Sequence, residues 1–476
     1  MVYTNEKPLL AVISQGCAAN FGDGEKIARI FANDYRIIFG MPKETAGSDV
    51  AEKPAAFVLN VCTVKGNAGA LKLLREAMST APEASLFITG CAPKDFREEV
   101  AKITDKAVFT SLKELLQQGK EISASPFRGP YPLSSKAASG YWQGGDDKTN
   151  PKELFASDCR APHGARNDAP LRESSLVGIV NIEEGCLDAC AYCSTRLVKG
   201  RLHSYPAADI VQQVKSLVAD GCVEIQLTGQ DCGCYGFDTN TNLAELVEQI
   251  LAEVPGNYRM RLGMGNPRHM LRYTDALLKC FEDERVYKFI HLPVQSGSEA
   301  ILKAMNRKHS AQDYVDLAEA FCSRFPLFTL STDLIVGFPG ETERDFQDTL
   351  DILGKTRPTV CNITRFVARP NTPAFNMQGA VPDSIKHERS AALAEAFQKI
   401  AAENNARWIG STENVVIEKP GYRKGTYIAR NAAYRPVAIT SERQLKPGER
   451  FTVTITAAEP FALIGEIIPA PRGSAE

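Results

Sequence analysis

The chain has 476 residues, 44% of them hydrophobic and 24% charged, and a formal net charge of −2. That length suits about three domains, each able to bury a core of its own, and the near-neutral balance excludes a uniformly basic nucleic-acid binder, so any such surface must be local. No apolar run approaches the roughly 20 residues of a membrane helix, and Met1–Pro8 lacks the charged-then-apolar plan of a secretory signal. A cytoplasmic chain with no membrane partner is expected.

Residues 1–120 read as an open α/β domain, with strands Leu9–Ser14, Phe57–Val61 and Leu86–Thr89 and helix-period stretches Glu25–Ala32 and Ala70–Met78 between them. Cys17, Cys62 and Cys91 each stand at or just past the C-terminal end of one of these strands, the edge where open α/β sheets bind ligands. Residues 121–172 lack apolar periodicity and are rich in Ser, Gly, Pro, Asp and Asn, so they read as a linker. From 173 to 405 a strand–loop–helix unit repeats about six times, as in a partial (β/α)6 barrel. Its expected strands are Val177–Ile182, Val223–Leu227, Tyr258–Leu262, Lys288–Leu292, Phe328–Val336 and Cys361–Phe366. Residues 406–476 are strand-rich with Gly and Pro turns, and their ten Lys or Arg against seven Asp or Glu give a local charge of +3. A small β-barrel that handles nucleic acid fits that pattern. Arg423, Lys424, Arg430 and Arg435, interleaved with Tyr422, Tyr427 and Tyr434, are its candidate RNA contacts. The fold class is thus α/β multidomain.

Thirteen cysteines are many for a reducing compartment and point to metal or redox chemistry rather than disulfides. Cys159, Cys222, Cys232, Cys234, Cys280, Cys322 and Cys361 have no ligand-like spacing and read as small buried hydrophobes or passive thiols. The loop Glu184-Gly-Cys186-Leu-Asp-Ala-Cys190-Ala-Tyr192-Cys193 is different. Three thiolates this close can hold three irons of a 4Fe–4S cluster, leaving the fourth iron open to a chelating molecule. The alternative is a structural zinc site, which normally completes four ligands and stays closed.

At this loop the sequence resembles the radical S-adenosylmethionine superfamily. The resemblance implies that Cys186, Cys190 and Cys193 hold a cluster and that Tyr192 contacts the adenine of the cofactor. It also implies that Gly229 and Gln230, in Gln226-Leu-Thr-Gly229-Gln230-Asp231, bind the cofactor's amino group. Gly337, in Asp333-Leu-Ile-Val-Gly337-Phe-Pro-Gly340-Glu341, then lies beside the adenine, where glycine permits close backbone approach.

Over nearly its whole length outside 121–172, the chain is similar to the methylthiotransferases. The segments that carry this are Gly16-Cys17-Ala-Ala-Asn20, Asn60-Val-Cys62, Gly90-Cys91-Ala-Pro, His291-Leu-Pro-Val-Gln295-Ser-Gly-Ser298, Met305-Asn-Arg307 and Arg365-Phe-Val-Ala-Arg369. The tail, with Arg430-Asn-Ala-Ala-Tyr434-Arg435, resembles the RNA-binding TRAM domain. Two departures are Asp23-Gly24-Glu25, where the family commonly has Asp-Ser-Glu, and Lys199-Gly200 in place of Arg-Gly. A solvated basic loop formed by Arg196, Lys199 and Arg201 is the bland alternative for that second segment.

The resemblance implies two 4Fe–4S clusters, the second on Cys17, Cys62 and Cys91, with S-adenosylmethionine as cofactor and Gln295 among the cofactor-side residues. It implies tRNA as substrate, a low-potential electron donor, a monomer, and radical removal of hydrogen from a carbon with no useful acidity. No acid–base residue is assigned. Gln226 through Gly236 and Arg261-Leu-Gly-Met-Gly-Asn266-Pro267 look most like the archaeal and eukaryotic threonylcarbamoyladenosine branch. The alternatives are isopentenyladenosine in tRNA, an aspartate of a ribosomal protein, and a non-catalytic iron–sulfur RNA-binding protein.

Overall fold

The structure is a computed structural model that describes residues 7–15, 18–32, 34–42, 53–62, 67–111, 114–115, 176–421 and 423–469. Cys17, Cys159, Tyr422 and the expected linker lie outside the described residues. The chain divides into two compact units, the first of residues 1–175 with Ile179–Asn181 and Ser194–Gly200, the second of the remainder.

In the first unit β1 (Leu9–Ser14), β2 (Arg36–Phe39), β3 (Ala56–Cys62), β4 (Ser85–Cys91) and β5 (Ala107–Phe109) form one sheet in the order β2-β1-β3-β4-β5. Every pairing in it is parallel. Parallel sheets are buried on both faces, which is why β1 and β3 are near-continuous apolar runs. Alternate residues serve opposite faces. Ala11, Ile13, Phe57, Leu59 and Val61 join one core with Leu71, Leu74 and Phe96, from α2 (Ala68–Thr80) and α3 (Lys94–Ala101). Leu10, Val12, Ala56 and Val58 join another with Ile27, Ala28 and Phe31 of α1 (Ala18–Phe31). The strand order reverses between β1 and β3, the topological switch point at which such sheets bind ligands. The sequence reading lacked β2, β5 and α3; the two strands are short edges of four and three residues, too brief for periodicity to register.

Beyond residue 175 run the barrel strands β6 (Val177–Asn181), β9 (Glu224–Thr228) and β10 (Arg259–Leu262) in the order β10-β9-β6, then β11 (Phe289–His291), β12 (Thr329–Val336) and β13 (Val360–Arg365) in the order β11-β12-β13. The Met260 carbonyl accepts from Tyr287 N (3.0 Å) and the His291 carbonyl from Gly265 N (3.0 Å), which joins the two sheets across β10 and β11. A short hairpin, β7 (Glu183–Glu184) with β8 (His203–Ser204), brackets the cysteine loop. Helices α4 (Thr195–Lys199), α5 (Ala207–Ala219), α6 (Leu243–Glu253), α7 (Pro267–Met270), α8 (Thr274–Cys280), α9 (Glu299–Ala304), α10 (Ala311–Arg324) and α11 (Glu343–Thr356) separate the strands. Capping boxes at Ser310/Asp313 and Thr342/Asp345 start α10 and α11, satisfying amides a helix N-terminus leaves open.

After the long helix α12 (Asp383–Ala406), strands β14 (Thr412–Pro420), β15 (Thr426–Arg430), β16 (Pro436–Thr440), β17 (Arg450–Ala458) and β18 (Leu463–Ile467) close into a five-stranded barrel. Val415, Ile417, Ala429, Val437, Ile439, Val453, Ile455 and Leu463 fill it. No helix among the described residues is long and apolar enough to cross a membrane.

One buried ion pair ties α12 to the turn after β12. Arg389 Nη1 lies 2.7 Å from Glu341 Oε2, their side chains 8% and 0% exposed, and the same Glu341 oxygen accepts from Gly337 N at 2.6 Å. Removing one member of such a pair strands a charge in the interior. Arg389→Met is therefore expected to destabilise this unit by about 3 kcal/mol or more, and adding Glu341→Gln should recover part of the loss. Denaturant titration of the single and double variants measures both.

Candidate radical centre

Cys186, Cys190 and Cys193 lie on an irregular loop between β7 and α4, and all three are free and half-buried. Such a loop supplies little geometry of its own, so its position depends on anchors. Gly185 N donates to Gln230 Oε1 (2.7 Å), fixing the loop's start to the end of β9. Asp188 is buried and receives Asn266 Nδ2 and Arg268 Nη1, with His269 Nε2 at 3.2 Å. From the far side the strap Met305–Arg307 grips the loop three times. Ala191 N donates to the Met305 carbonyl (2.8 Å), Asn306 Nδ2 to the Ala189 carbonyl (2.6 Å), and Arg307 Nη1 to Cys190 Sγ (3.6 Å).

The electrostatics follow from burial and this ring of charges. Burial pushes the Cys186 thiol up, and Asp231 adds to the effect. Burial also raises Cys190, but the Arg307 guanidinium opposes it. Asp188 is buried, yet His269 and Arg268 hold its carboxyl below the usual range. Asp231 goes the other way, raised by burial despite His269. Cys232 and Cys234 are wholly buried, with Cys234 Sγ donating to the Asp231 carbonyl at 3.2 Å, so they are packed thiols as expected. Cys222 and Cys280 are buried too, while Cys322 is exposed and Cys361 half-buried.

The expected cofactor-side residues gather around the same loop. Tyr192 packs with Ala191, Met305, Phe338 and Phe366 in one apolar cluster, which brings it to the residue following Gly337. Gly337 has φ +75°, a conformation glycine adopts without strain. A Cβ on Gly229 would overlap the Glu183 carboxyl, so only glycine fits there. Gln295 has φ +80° and is buried, its amide donating to the Asp333 carbonyl (2.9 Å) and its carbonyl accepting from Ile335 N (2.8 Å). The residues therefore fit an iron–sulfur cluster with a chelated cofactor, because three half-exposed thiols face no fourth exposed cysteine among the described residues of this loop.

In the first unit β3 and β4 end in register at Cys62 and Cys91, so two of the three expected thiols come from adjacent strand ends. Cys17 lies outside the described residues, but Asn20 Nδ2 reaches the carbonyls of Gln15 (3.0 Å) and Val61 (2.9 Å) and so ties the segments on either side of Cys17 to the end of β3. Lys199, one of the two family departures, is no solvated loop residue. It pairs with Asp23, the start of the other departure, at 3.3 Å, both side chains 8% exposed, and Asn181 also donates to Asp23 (2.8 Å).

The basic tail requires correction. Arg423 and Lys424 are exposed at the β14–β15 turn, as an RNA contact needs. Arg435 is 3% exposed and donates to Asn405 Oδ1 (2.6 Å). Arg430 is paired with Glu418 (Nη2–Oε2 2.8 Å) and lies over the Tyr434 ring at 4.2 Å. Tyr427 is buried, and Tyr434 turns into the larger barrel. Local charge alone does not reveal which arginines a barrel uses internally.

Comparison with known proteins agrees with this geometry. A Radical SAM superfamily model matches residues 180–353, and a TRAM domain model matches residues 406–468. A probable threonylcarbamoyladenosine tRNA methylthiotransferase of Pyrococcus horikoshii is 34% identical over 456 residues, 95% of this chain and 98% of the relative. The chain belongs to the threonylcarbamoyladenosine branch of the radical S-adenosylmethionine methylthiotransferases. Its similarity extends to a probable member from Archaeoglobus fulgidus, 42% identical over 62% of this chain and 68% of that one, and to the human member, 30% identical over 89% and 68%. Among solved structures, the radical S-adenosylmethionine methyltransferase TsrM of Kitasatospora setae superposes with a TM-score of 0.54 at 14% identity, covering 78% of this chain and 77% of that one, a likeness of fold alone. Like that family, the chain is a radical S-adenosylmethionine enzyme with at least one 4Fe–4S cluster.

Sequence reading missed Glu183, whose only signal is its place one residue before the motif. It is 2% exposed, accepts from Asp231 N (2.9 Å), and burial pushes its carboxyl up to about 8. The folded chain thus holds this proton between the ordinary carboxylate value of 4.5 and about 8, where the unfolded chain has released it. Stability is expected to fall as pH rises through that window. Glu183→Gln should flatten the fall, which melting temperatures from pH 5 to 8.5 would show.

Proposed function

We propose that this enzyme transfers a methylthio group to C2 of threonylcarbamoyladenosine beside the anticodon of tRNA. The observation that carries this reading is the similarity, over 95% of this chain and 98% of the relative, to a protein so named. When bound, the cluster and S-adenosylmethionine supply the electron and the radical that removes hydrogen from an unreactive carbon. The protein's contribution is positional. Asp188, Gln230 and the Met305–Arg307 strap fix the cysteine loop, Tyr192 and Gly337 would hold the adenine, and Gly229 and Gln230 would hold the cofactor's amino group, with Gln295 a further cofactor-side residue.

We assign Cys17, Cys62 and Cys91 to a second 4Fe–4S cluster that carries the sulfur to be transferred. The β1/β3 switch point and the in-register ends of β3 and β4 support it. Arg423 and Lys424 are the RNA contacts of the C-terminal barrel. A monomer working in the cytoplasm with a low-potential electron donor completes the reading.

The division of labour is testable by substitution. Alanine at Cys17, Cys62 and Cys91 together should roughly halve the iron bound after anaerobic reconstitution, since each triplet holds one cluster. That variant should still form 5′-deoxyadenosine yet transfer no methylthio group, whereas Cys186→Ala, Cys190→Ala or Cys193→Ala should abolish 5′-deoxyadenosine formation. A triple variant that keeps all its iron would sink the second cluster.

Substrate choice is read by offering the enzyme tRNA carrying either threonylcarbamoyladenosine or isopentenyladenosine, then digesting and weighing the nucleosides. Only the former should gain a methylthio group. Modification of the isopentenyl tRNA alone would refute the assignment.

A further inference from the structure

The inner face of the larger barrel holds a guanidinium with no anion. On β9 and β10 Glu224 and Gln226 pair in register with Arg259 and Arg261, and Tyr287, just before β11, and Phe289, in it, bring rings to these arginines, while Ile225, Leu227, Met260, Leu262 and Ile290 are buried between them in sequence. Arg261 lies over the rings of Phe289 (5.0 Å) and Tyr434 (5.3 Å). Its Nε is a buried donor with no hydrogen-bond partner, and among the described residues no carboxylate is within ion-pair distance. The two acids of this face are already occupied. Glu224 accepts from Gln226 Nε2 (2.6 Å), Tyr287 OH (3.0 Å) and Tyr434 OH (3.2 Å). Asp333 takes His291 Nε2 (3.0 Å) and Asn362 Nδ2 (2.7 Å).

A half-buried cation without a partner is costly unless a ligand completes it. The two rings flank the guanidinium and no protein acceptor takes its Nε, so a carboxylate bound in a fork would satisfy it. Tyr434, which comes from the C-terminal barrel and has φ +62°, closes the floor beside it, bonded to Glu224 and Gln226 (3.3 Å) and backed by Arg430 (4.2 Å). A planar carboxylate meets a guanidinium in the plane of its fork through two parallel bonds.

We infer that Arg261, held by Phe289 and Tyr434, is the residue that reads the carboxylate of the threonylcarbamoyl side chain, an inference that rests on the substrate reading given above. Of the modified adenosines considered, the threonylcarbamoyl one ends in an acid and the isopentenyl one in a hydrocarbon, so a cation here separates them; Arg259, whose Nη1 is likewise buried without a hydrogen-bond partner, stands over Tyr287 and not over Phe289 and Tyr434.

The test uses the reconstituted full-length enzyme and anticodon stem-loop RNAs carrying threonylcarbamoyladenosine either as the free acid or as its primary amide, which has nearly the same shape without the charge. A charge-assisted hydrogen bond predicts that the wild-type enzyme prefers the acid in kcat/KM by on the order of tenfold to a hundredfold. In Arg261→Met that preference should collapse to about one, with Arg261→Lys in between because a point charge replaces the fork. Equal use of acid and amide by the wild-type enzyme would overturn the role of Arg261 while leaving the substrate reading intact. A variant that loses acid and amide alike, its preference unchanged, would also overturn it and would point to a phosphate contact or to packing. Failure of the wild-type enzyme on both RNAs, with turnover of an isopentenyladenosine RNA, would overturn the substrate reading and this inference together.

Discussion

Everything in this enzyme depends on holding three thiols at fixed spacing on a loop that has no regular backbone of its own. A helix or strand would place side chains by its own hydrogen bonds, and here those bonds are replaced by groups from three other segments. Gln230 takes the Gly185 amide, Asn266, Arg268 and His269 converge on Asp188, and Met305, Asn306 and Arg307 take the stretch from Ala189 to Ala191. Asp188 can remain charged in the interior because Arg268 and His269 stand against it. The ring around the cysteines is therefore polar and buried at once, a combination that is stable only when nearly every group is paired. Arg307 also points a cation at Cys190, and hydrogen bonds to cluster sulfurs are among the levers that set reduction potential.

The barrel architecture was legible in the sequence because its strands are apolar runs bounded by turns, and six of them recur with helices between. All six expected barrel strands occur within a residue or so of their expected ends, as do β1 and β3 of the first unit. Cys186, Cys190 and Cys193 were legible for a different reason, since ligand spacing is local in sequence. The anchors were not. Asp188 is meaningful only because Arg268 and His269, some eighty residues on, return to it. Nothing in a polar residue's own neighbourhood reveals a partner at that distance.

The C-terminal barrel shows the same limit in its charges. Its net excess of +3 suggested four basic RNA contacts, yet Arg435 is inside against Asn405, and Arg430 is matched by Glu418. Composition counts charges without knowing which are neutralised by a neighbour on the next strand. What stays exposed is the β14–β15 turn with Arg423 and Lys424. The aromatic residues divide similarly, because Tyr434 serves the larger barrel's inner face rather than a base on the outside.

Backbone strain supports this division of the molecule. Of the non-glycine residues with positive φ among those described, three are asparagines outside the exposed C-terminal turn, where that conformation costs least, and the others are Gln295, Arg357 and Tyr434. Arg357 ends α11 as a left-handed cap, a common helix stop. Tyr434 ends the β15–β16 turn, its amide donating to the Asn431 carbonyl (3.1 Å); Gln295 has no such local reason, and strained residues persist only where their surroundings over-determine them. Gln295 is pinned on both sides by β12, through Asp333 and Ile335. Tyr434 is pinned by its hydroxyl on Glu224 and Gln226 and by ring contacts with Tyr287 at 4.8 Å and Phe289 at 5.1 Å. Both sit on the inner face of the barrel, one beside Asp333 and the other beside Arg261. The strain at Gln295 is thus held by the strand beside it, whereas the turn that gives Tyr434 its positive φ is what brings its ring from the second barrel to Arg261.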